Sequence, residues 1–202
     1  MKFVPNALTI TRIVLTPLVL WLLSSGTFVA HVWALVLFVI AATSDYLDGR
    51  LARSLGAGSR LGQFLDPLAD KILVIGTFSV LAFKIPHVVP WWAVIVIFLR
   101  DVALTLMRSW AESRGRSLRT LGAARVKTAV QLTFLIAMMV LLIGTELPGS
   151  VGRVSSWIMD SGIPYAILIL VVIVTVATGL MYVIRQDYSS AISSDDRSRD
   201  VA

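Results

Sequence analysis

Cysteine is absent from this chain, so neither a disulfide framework nor thiolate chemistry is open to it, and its redox compartment stays undetermined. Charge is scarce. Only 15% of residues are Asp, Glu, Lys or Arg while 57% are apolar, a balance that belongs in a bilayer rather than around a water-exposed core. No internal repeat is evident, and 202 residues fit one domain. A signal peptide is not indicated: Lys2 is the one charge before Pro5, and no small-residue cleavage site follows, so this N-terminus is expected to be retained. Acids are scarcer than bases, 12 against 18, for a net charge of +6. That excess acts through its placement, because basic side chains favour the cytoplasmic side and anionic lipid surfaces. Nucleic acid is not an expected partner.

What is plentiful is long apolar runs, and they predict an all-α integral membrane protein of six spans. Residues 5–11, P-N-A-L-T-I-T, read as a capped helix start, with Asn6 or Thr9 accepting backbone N–H bonds, and a short interfacial helix is expected before the first span. The spans are expected at about Ile13–Leu23, Val32 into the segment after Thr43, Leu61–Phe83, Trp91–Trp110, Val126–Ile143 and Pro164–Ile184. Gly144–Gly162 reads as a polar loop with Trp157 as an interface anchor, and Trp91, Trp92 and Trp110 fit the same aromatic belt. The membrane domain is expected over 1–188 and a disordered cytoplasmic tail over 189–202. If the loop between the second and third spans is cytoplasmic, every Lys and Arg except Lys84, Arg100 and Arg153 falls on that side. Both termini are then inside and the protein is a multi-pass component of the cell (inner) membrane.

Against this background four acids stand out between Ser44 and Lys71. The stretch reads S-D-Y-L-D-G-R-L-A-R-S-L-G-A-G-S-R-L-G-Q-F-L-D-P-L-A-D-K. Asp45 and Asp48 are three apart and Asp66 and Asp70 four apart, spacings that set each pair on one face of a helix. Carboxylates at membrane depth are costly and imply a cationic partner. Two facing pairs form an all-oxygen nest for hard divalent ions, Mg2+ or Mn2+, and two such ions about 4 Å apart could grip a diphosphate. Gly56, Gly58 and Gly62 allow a tight loop between the pairs, while Arg53 and Arg60 suit anions.

The pattern D-x2-D-G-x2-A-R-x8-G-x3-D-x3-D occurs here without deviation and resembles the signature of the CDP-alcohol phosphatidyltransferase family, membrane enzymes of phospholipid synthesis. The resemblance implies the fold of that family, homodimers, and Asp70 as the general base beside the ligands Asp45, Asp48 and Asp66, with Asp70 itself within reach of a metal. It further implies that Gly49, Arg53 and Ser59, with Gly62 in the same loop, hold the nucleotide of CDP-diacylglycerol. A helix C-cap is the lesser alternative for Gly49. The segment around Asn6 and Thr9 resembles a nucleotide-side contact in relatives, capping being the plainer alternative.

The second half of the chain bears on the acceptor. Arg100 interrupts the fourth span, where it either pairs with Asp101 or faces an anion. Arg108, Arg125 and Lys127 fall nearer the cytoplasmic end, at the level of the aspartates, and form a candidate phosphate pocket together with Arg100. R-D-x6-L-M-R-S-W-A-E-x2-G-R followed by R-V-K-T-A-V-Q is similar to the phosphatidylglycerophosphate synthases of that family, as is P-N-A-L-T-x2-R at the start. This chain carries Asp101 where those have glutamate, and Ala124-Arg125 where they have Gly-Lys. Glycerol 3-phosphate is the acceptor this implies. Phosphatidylglycerol (giving cardiolipin) and inositol phosphate are alternatives on the same chemistry, and a divalent-cation transporter is a distant one that leaves the A-R-x8-G loop without a role.

Overall fold

The computed structural model describes the backbone of residues 4–55, 60–113 and 122–199, and the side chains of 12–43, 71–107 and 127–181. The described residues form seven helices and no strand: α1 (Val4–Ser24), α2 (Phe28–Leu55), α3 (Arg60–Lys84), α4 (Trp91–Ser113), α5 (Gly122–Thr145), α6 (Ser150–Asp160) and α7 (Ile163–Arg199). Sequences this rich in Leu, Val and Ile satisfy their backbone polar groups inside each helix, which is the only open-chain solution in hydrocarbon. α1 lies against α2 and α3, α5 packs on α2, α6 and α7, and α4 joins α3 to α7. The core between them is filled by residues such as Leu23, Phe38, Phe78, Leu135, Met139 and Leu168, all fully buried. Phe78 and Phe134 stack there at 5.9 Å between centroids and 13° between planes.

The outside is as apolar as the inside. Val14, Trp21, Trp33, Leu106, Leu170 and Leu180 all present more than half their surface outward. An apolar exterior on this scale is a surface for lipid or for another subunit. Among the described residues, Lys127–Thr145 and Ile163–Met181 are long and apolar enough to cross a membrane, and only a third of each is buried. Arg12–Ser24 and Phe28–Thr43 are shorter apolar helical stretches. Two of the six expected spans therefore meet the length criterion by themselves.

Three expectations are corrected. The short separate helix before the first span does not exist as an element, because Val4–Ser24 is one helix with Pro17 inside it. Pro17 withdraws one helical donor, and in the turn before it the Thr16 hydroxyl donates to Arg12 O at 2.8 Å. The tail expected to be disordered over 189–202 continues α7 as far as Arg199, with no glycine or proline after Met181 to stop it.

The third correction is α6, which occupies what was expected to be a loop. Its three sides carry different residues. Gly152, Ser155 and Met159 are buried against the bundle, Val151, Val154 and Trp157 face outward, and Arg153 and Asp160 stand on the remaining side. Close approach requires small residues on both partners: a Cβ on Gly144 would meet Ser155 Oγ, and one on Gly152 would be driven into the Leu147 carbonyl. The α6 start is set by Gly149 at φ 82°, in the left-handed region. Gly152→Ala is therefore expected to destabilise the protein by about 1–3 kcal/mol through overpacking against rigid backbone. Gly26→Ala, which meets open space, should stay within about 0.5 kcal/mol. Thermal unfolding of both variants in detergent checks the contrast.

Candidate functional site

Asp45 and Asp48 sit on α2, which stays helical through Leu55, and Asp66 and Asp70 sit on α3, which opens at Arg60. Their helical spacing is thus intact in the backbone, and α2 and α3 contact one another. Their side chains lie outside the described residues, as do those of Asn6 and Thr9 on α1, Gly49 and Arg53 on α2, Gly62 on α3, Arg108 on α4 and Arg125 on α5. Ser59 falls in the undescribed segment 56–59. As a donor set, four carboxylates on two neighbouring helices suit a hard divalent ion such as Mg2+ or Mn2+. Among the described residues, no group of three or more His, Cys, Asp or Glu could hold one.

α1 runs parallel to α3. Leu20 fills the space beside Gly76, and further along Lys84 Nζ donates to Ser25 O at 2.8 Å. Carried back two turns, the same register brings Arg12 level with the Asp66–Asp70 turn. Arg12 is only 2% exposed, a buried guanidinium at the depth of the acidic motif. The sequence marked this residue within P-N-A-L-T-x2-R but assigned it no role.

The described part of the site is a cation cluster at the adjoining level of α3, α4, α5 and α7. Lys127, from α5, sets its Nζ 2.6 Å from Asp101 Oδ1 and 2.5 Å from Oδ2. Arg100 Nη1 reaches the same Oδ1 at 3.1 Å, and its Nη2 donates to Thr178 Oγ1 on α7 at 3.0 Å. The guanidinium lies across Gly179, where a Cβ would stand 3.0 Å from Nε. Lys71, the residue after Asp70, donates to Asp101 O at 3.3 Å and also bonds Thr105 Oγ1. One turn further along α5, Gln131 Nε2 donates to Thr175 Oγ1 at 3.2 Å. Asp101 is 4% exposed and Lys127 8%, so this is a buried ionic network tying four helices.

Of the four residues expected to bind an acceptor phosphate, the structure thus joins Arg100 and Lys127 through Asp101. Sequence reasoning missed Lys71, Thr105 and Thr178 as members. Thr175 and Thr178, polar residues three apart in an otherwise apolar helix, were the available signal.

A second polar cluster closes the opposite end of the bundle. His31, buried on α2, stands between Lys84 and Glu146, with Nε2 2.9 Å from Lys84 Nζ and Nδ1 2.6 Å from Glu146 Oε1. Burial lowers the proton affinity of the Lys84 ammonium below the usual lysine range, with Glu146 opposing the shift. Because a lysine ammonium only donates, His31 Nε2 accepts from it, and Nδ1 is then the nitrogen that carries the proton beside Glu146. These contacts pin the ends of α1, α2, α3 and α5 about a helix length away from the acidic motif.

The described residues thus form a helical bundle with the four motif aspartates on two contacting helices, α2 and α3, and an ionic network of Lys71, Arg100, Asp101 and Lys127 across α3, α4 and α5. The family model for CDP-alcohol phosphatidyltransferase matches residues 2–183. The chain belongs to that family. Among curated relatives it is 33% identical over 143 residues to a Mycobacterium tuberculosis protein provisionally named a cardiolipin synthase, covering 70% of this chain and 65% of the relative. It is also 33% identical over 147 residues to the Bacillus subtilis CDP-diacylglycerol–glycerol-3-phosphate 3-phosphatidyltransferase, covering 67% of this chain and 75% of the relative. An Arabidopsis thaliana chloroplastic/mitochondrial protein of the same description is 33% identical over 175 residues, 78% of this chain and 54% of that one. The chain therefore spans a little under two thirds of the length of the mycobacterial relatives.

Proposed function

We propose that the protein transfers the phosphatidyl group of CDP-diacylglycerol to glycerol 3-phosphate, releasing CMP and forming phosphatidylglycerophosphate. The observation that carries this reading is the reach of Lys71 to α4. It joins Lys71, the residue after the fourth aspartate of the motif, to a network in which Asp101 and Lys127 are buried and Arg100 is partly buried. A phosphorylated alcohol bound there has its free hydroxyl near Asp70, and buried charge-assisted bonds suit a phosphate. The names of the Bacillus and Arabidopsis relatives support the same acceptor.

In this reading Asp45, Asp48 and Asp66 hold Mg2+ or Mn2+, with Asp70 in reach of it. When bound, divalent ions supply charge neutralisation to the diphosphate of the donor. Gly49, Arg53, Ser59 and Gly62, with Asn6 and Thr9 from α1, surround the nucleotide. Arg108 and Arg125 complete the acceptor pocket from α4 and α5. Asp70 takes the proton of the terminal hydroxyl of glycerol 3-phosphate as its oxygen attacks the phosphorus that carries diacylglycerol. A new phosphodiester bond forms, the anhydride bond to CMP breaks, and the electron pair leaves with CMP.

The fold is read as six membrane spans, α1 to α5 and α7, with the motif and both termini on the cytoplasmic side. α6 then lies along the outer surface, its Val151, Val154 and Trp157 side toward lipid and Arg153 toward water. The protein is further proposed to work as a homodimer.

The mycobacterial and Streptomyces coelicolor relatives, named as cardiolipin synthases, favour a second reading with phosphatidylglycerol as acceptor. An acceptor panel decides between them. Purified protein with CDP-diacylglycerol and Mg2+ is expected to release CMP with glycerol 3-phosphate, and far more slowly with phosphatidylglycerol or inositol phosphate. CMP release with phosphatidylglycerol alone would select the second reading, and release with none of them would reject the transferase.

A further inference from the structure

We infer that Asp101 is a positioning residue of the acceptor pocket: it fixes the two cations that receive the acceptor's phosphate, Lys127 and Arg100, without touching substrate itself. The inference rests on the function proposed above and deepens it at one side chain. Asp101 is the hub of the described network. Its Oδ1 is shared between Lys127 Nζ and Arg100 Nη1, its Oδ2 faces Lys127, and its main-chain carbonyl accepts from Lys71. A buried carboxylate so used does two things at once. It offsets the mutual repulsion of two cations held within a few ångströms of one shared oxygen atom, and it sets their direction before any ligand arrives.

Arg100 has independent anchors in Thr178 and the open surface of Gly179, so its guanidinium keeps its place on α7. Lys127 is held differently. Its ammonium sits at the end of a flexible four-carbon stem, and Asp101 grips it with both oxygens. The loss of Asp101 should therefore show first as a misplaced Lys127. Misplacing a binding group by about 1 Å can cost up to about a hundredfold in rate, and a carboxamide in place of the carboxylate keeps the shape while removing the charge.

The test compares Asp101→Asn and Asp101→Glu with the unsubstituted protein in CMP-release kinetics, varying each substrate in turn. Asp101→Asn is expected to raise the KM for glycerol 3-phosphate about tenfold while leaving the KM for CDP-diacylglycerol nearly unchanged, together with a lower melting temperature because two cations lose their buried partner. Asp101→Glu, which restores a carboxylate one methylene longer, is expected to recover most of that loss. A purely structural role predicts something else, both KM values moving together or not at all whatever the melting temperature does, and would overturn the inference. So would a lower KM for glycerol 3-phosphate in Asp101→Asn, since the carboxylate would then be competing with the phosphate. If the unsubstituted protein released no CMP with glycerol 3-phosphate, the proposed function would fail first, so the two failures are distinguishable.

Discussion

Asp70→Asn is expected to lower the turnover of CMP release by about 10²–10⁴-fold, the range in which a positioned general base contributes. At 1.36 kcal/mol per decade this is roughly 3–5 kcal/mol of transition-state stabilisation. Asparagine keeps the size of the side chain and an oxygen that can accept a hydrogen bond, but it cannot take up the hydroxyl proton. The KM for either substrate should move by less than about threefold, because the lost interaction arises only as the proton transfers. In the proposed site Asp70 is also a candidate metal ligand, so the Mg2+ dependence must be measured on the same variant. A rate that climbs back to that of the unsubstituted protein at high Mg2+ would show Asp70 to be a ligand alone, and the base would have to be sought elsewhere.

The second large effect concerns the other three acids. Asp45→Ala, Asp48→Ala or Asp66→Ala, or EDTA added to the unsubstituted protein, is expected to reduce CMP release by about 10³-fold or more. Charge stabilisation of several kcal/mol is at stake when a divalent ion is removed from a phosphoryl-transfer site. Re-added Mg2+ or Mn2+ should restore the EDTA-treated protein fully and the alanine variants not at all. Steady CMP release in EDTA would exclude a role for the ion.

Much of this was readable before any coordinates. Five of the seven helices follow from apolar runs bounded by turns, and the motif from Asp45 to Asp70 announces itself because acids at that depth need a partner. α6 was not readable as a helix. Eleven residues containing Gly152, three serines and Arg153 look like a loop, and their order comes from tertiary packing of Gly152 and Ser155 against α5. The capped start at residues 5–11 misled in the opposite direction: a separate interfacial helix was expected before Ile13, yet Val4–Ser24 is one element with Pro17 inside it.

At the site, the pairing of Arg100 with Asp101 was an open alternative in the sequence, since neighbours along a helix point about 100° apart. Their meeting depends on the long arginine side chain wrapping back while Thr178 on α7 holds its other nitrogen. The link from Lys71 to Asp101 and Thr105 crosses from α3 to α4 and could not be seen in one dimension. Lys127 was legible as a cation near the aspartates. That it grips Asp101 with 2.5–2.6 Å contacts was not, because helix order says nothing of which faces meet.

Asp45, Asp48, Asp66 and Asp70 are proposed to converge on divalent metal between α2 and α3. Crystals grown with Mn2+ and CDP-diacylglycerol, recorded at the manganese absorption edge, address it directly. Anomalous density is expected within about 2.0–2.3 Å of at least three of those carboxylates. The four side chains turned away from one another, with no anomalous peak between the helices, would contradict it.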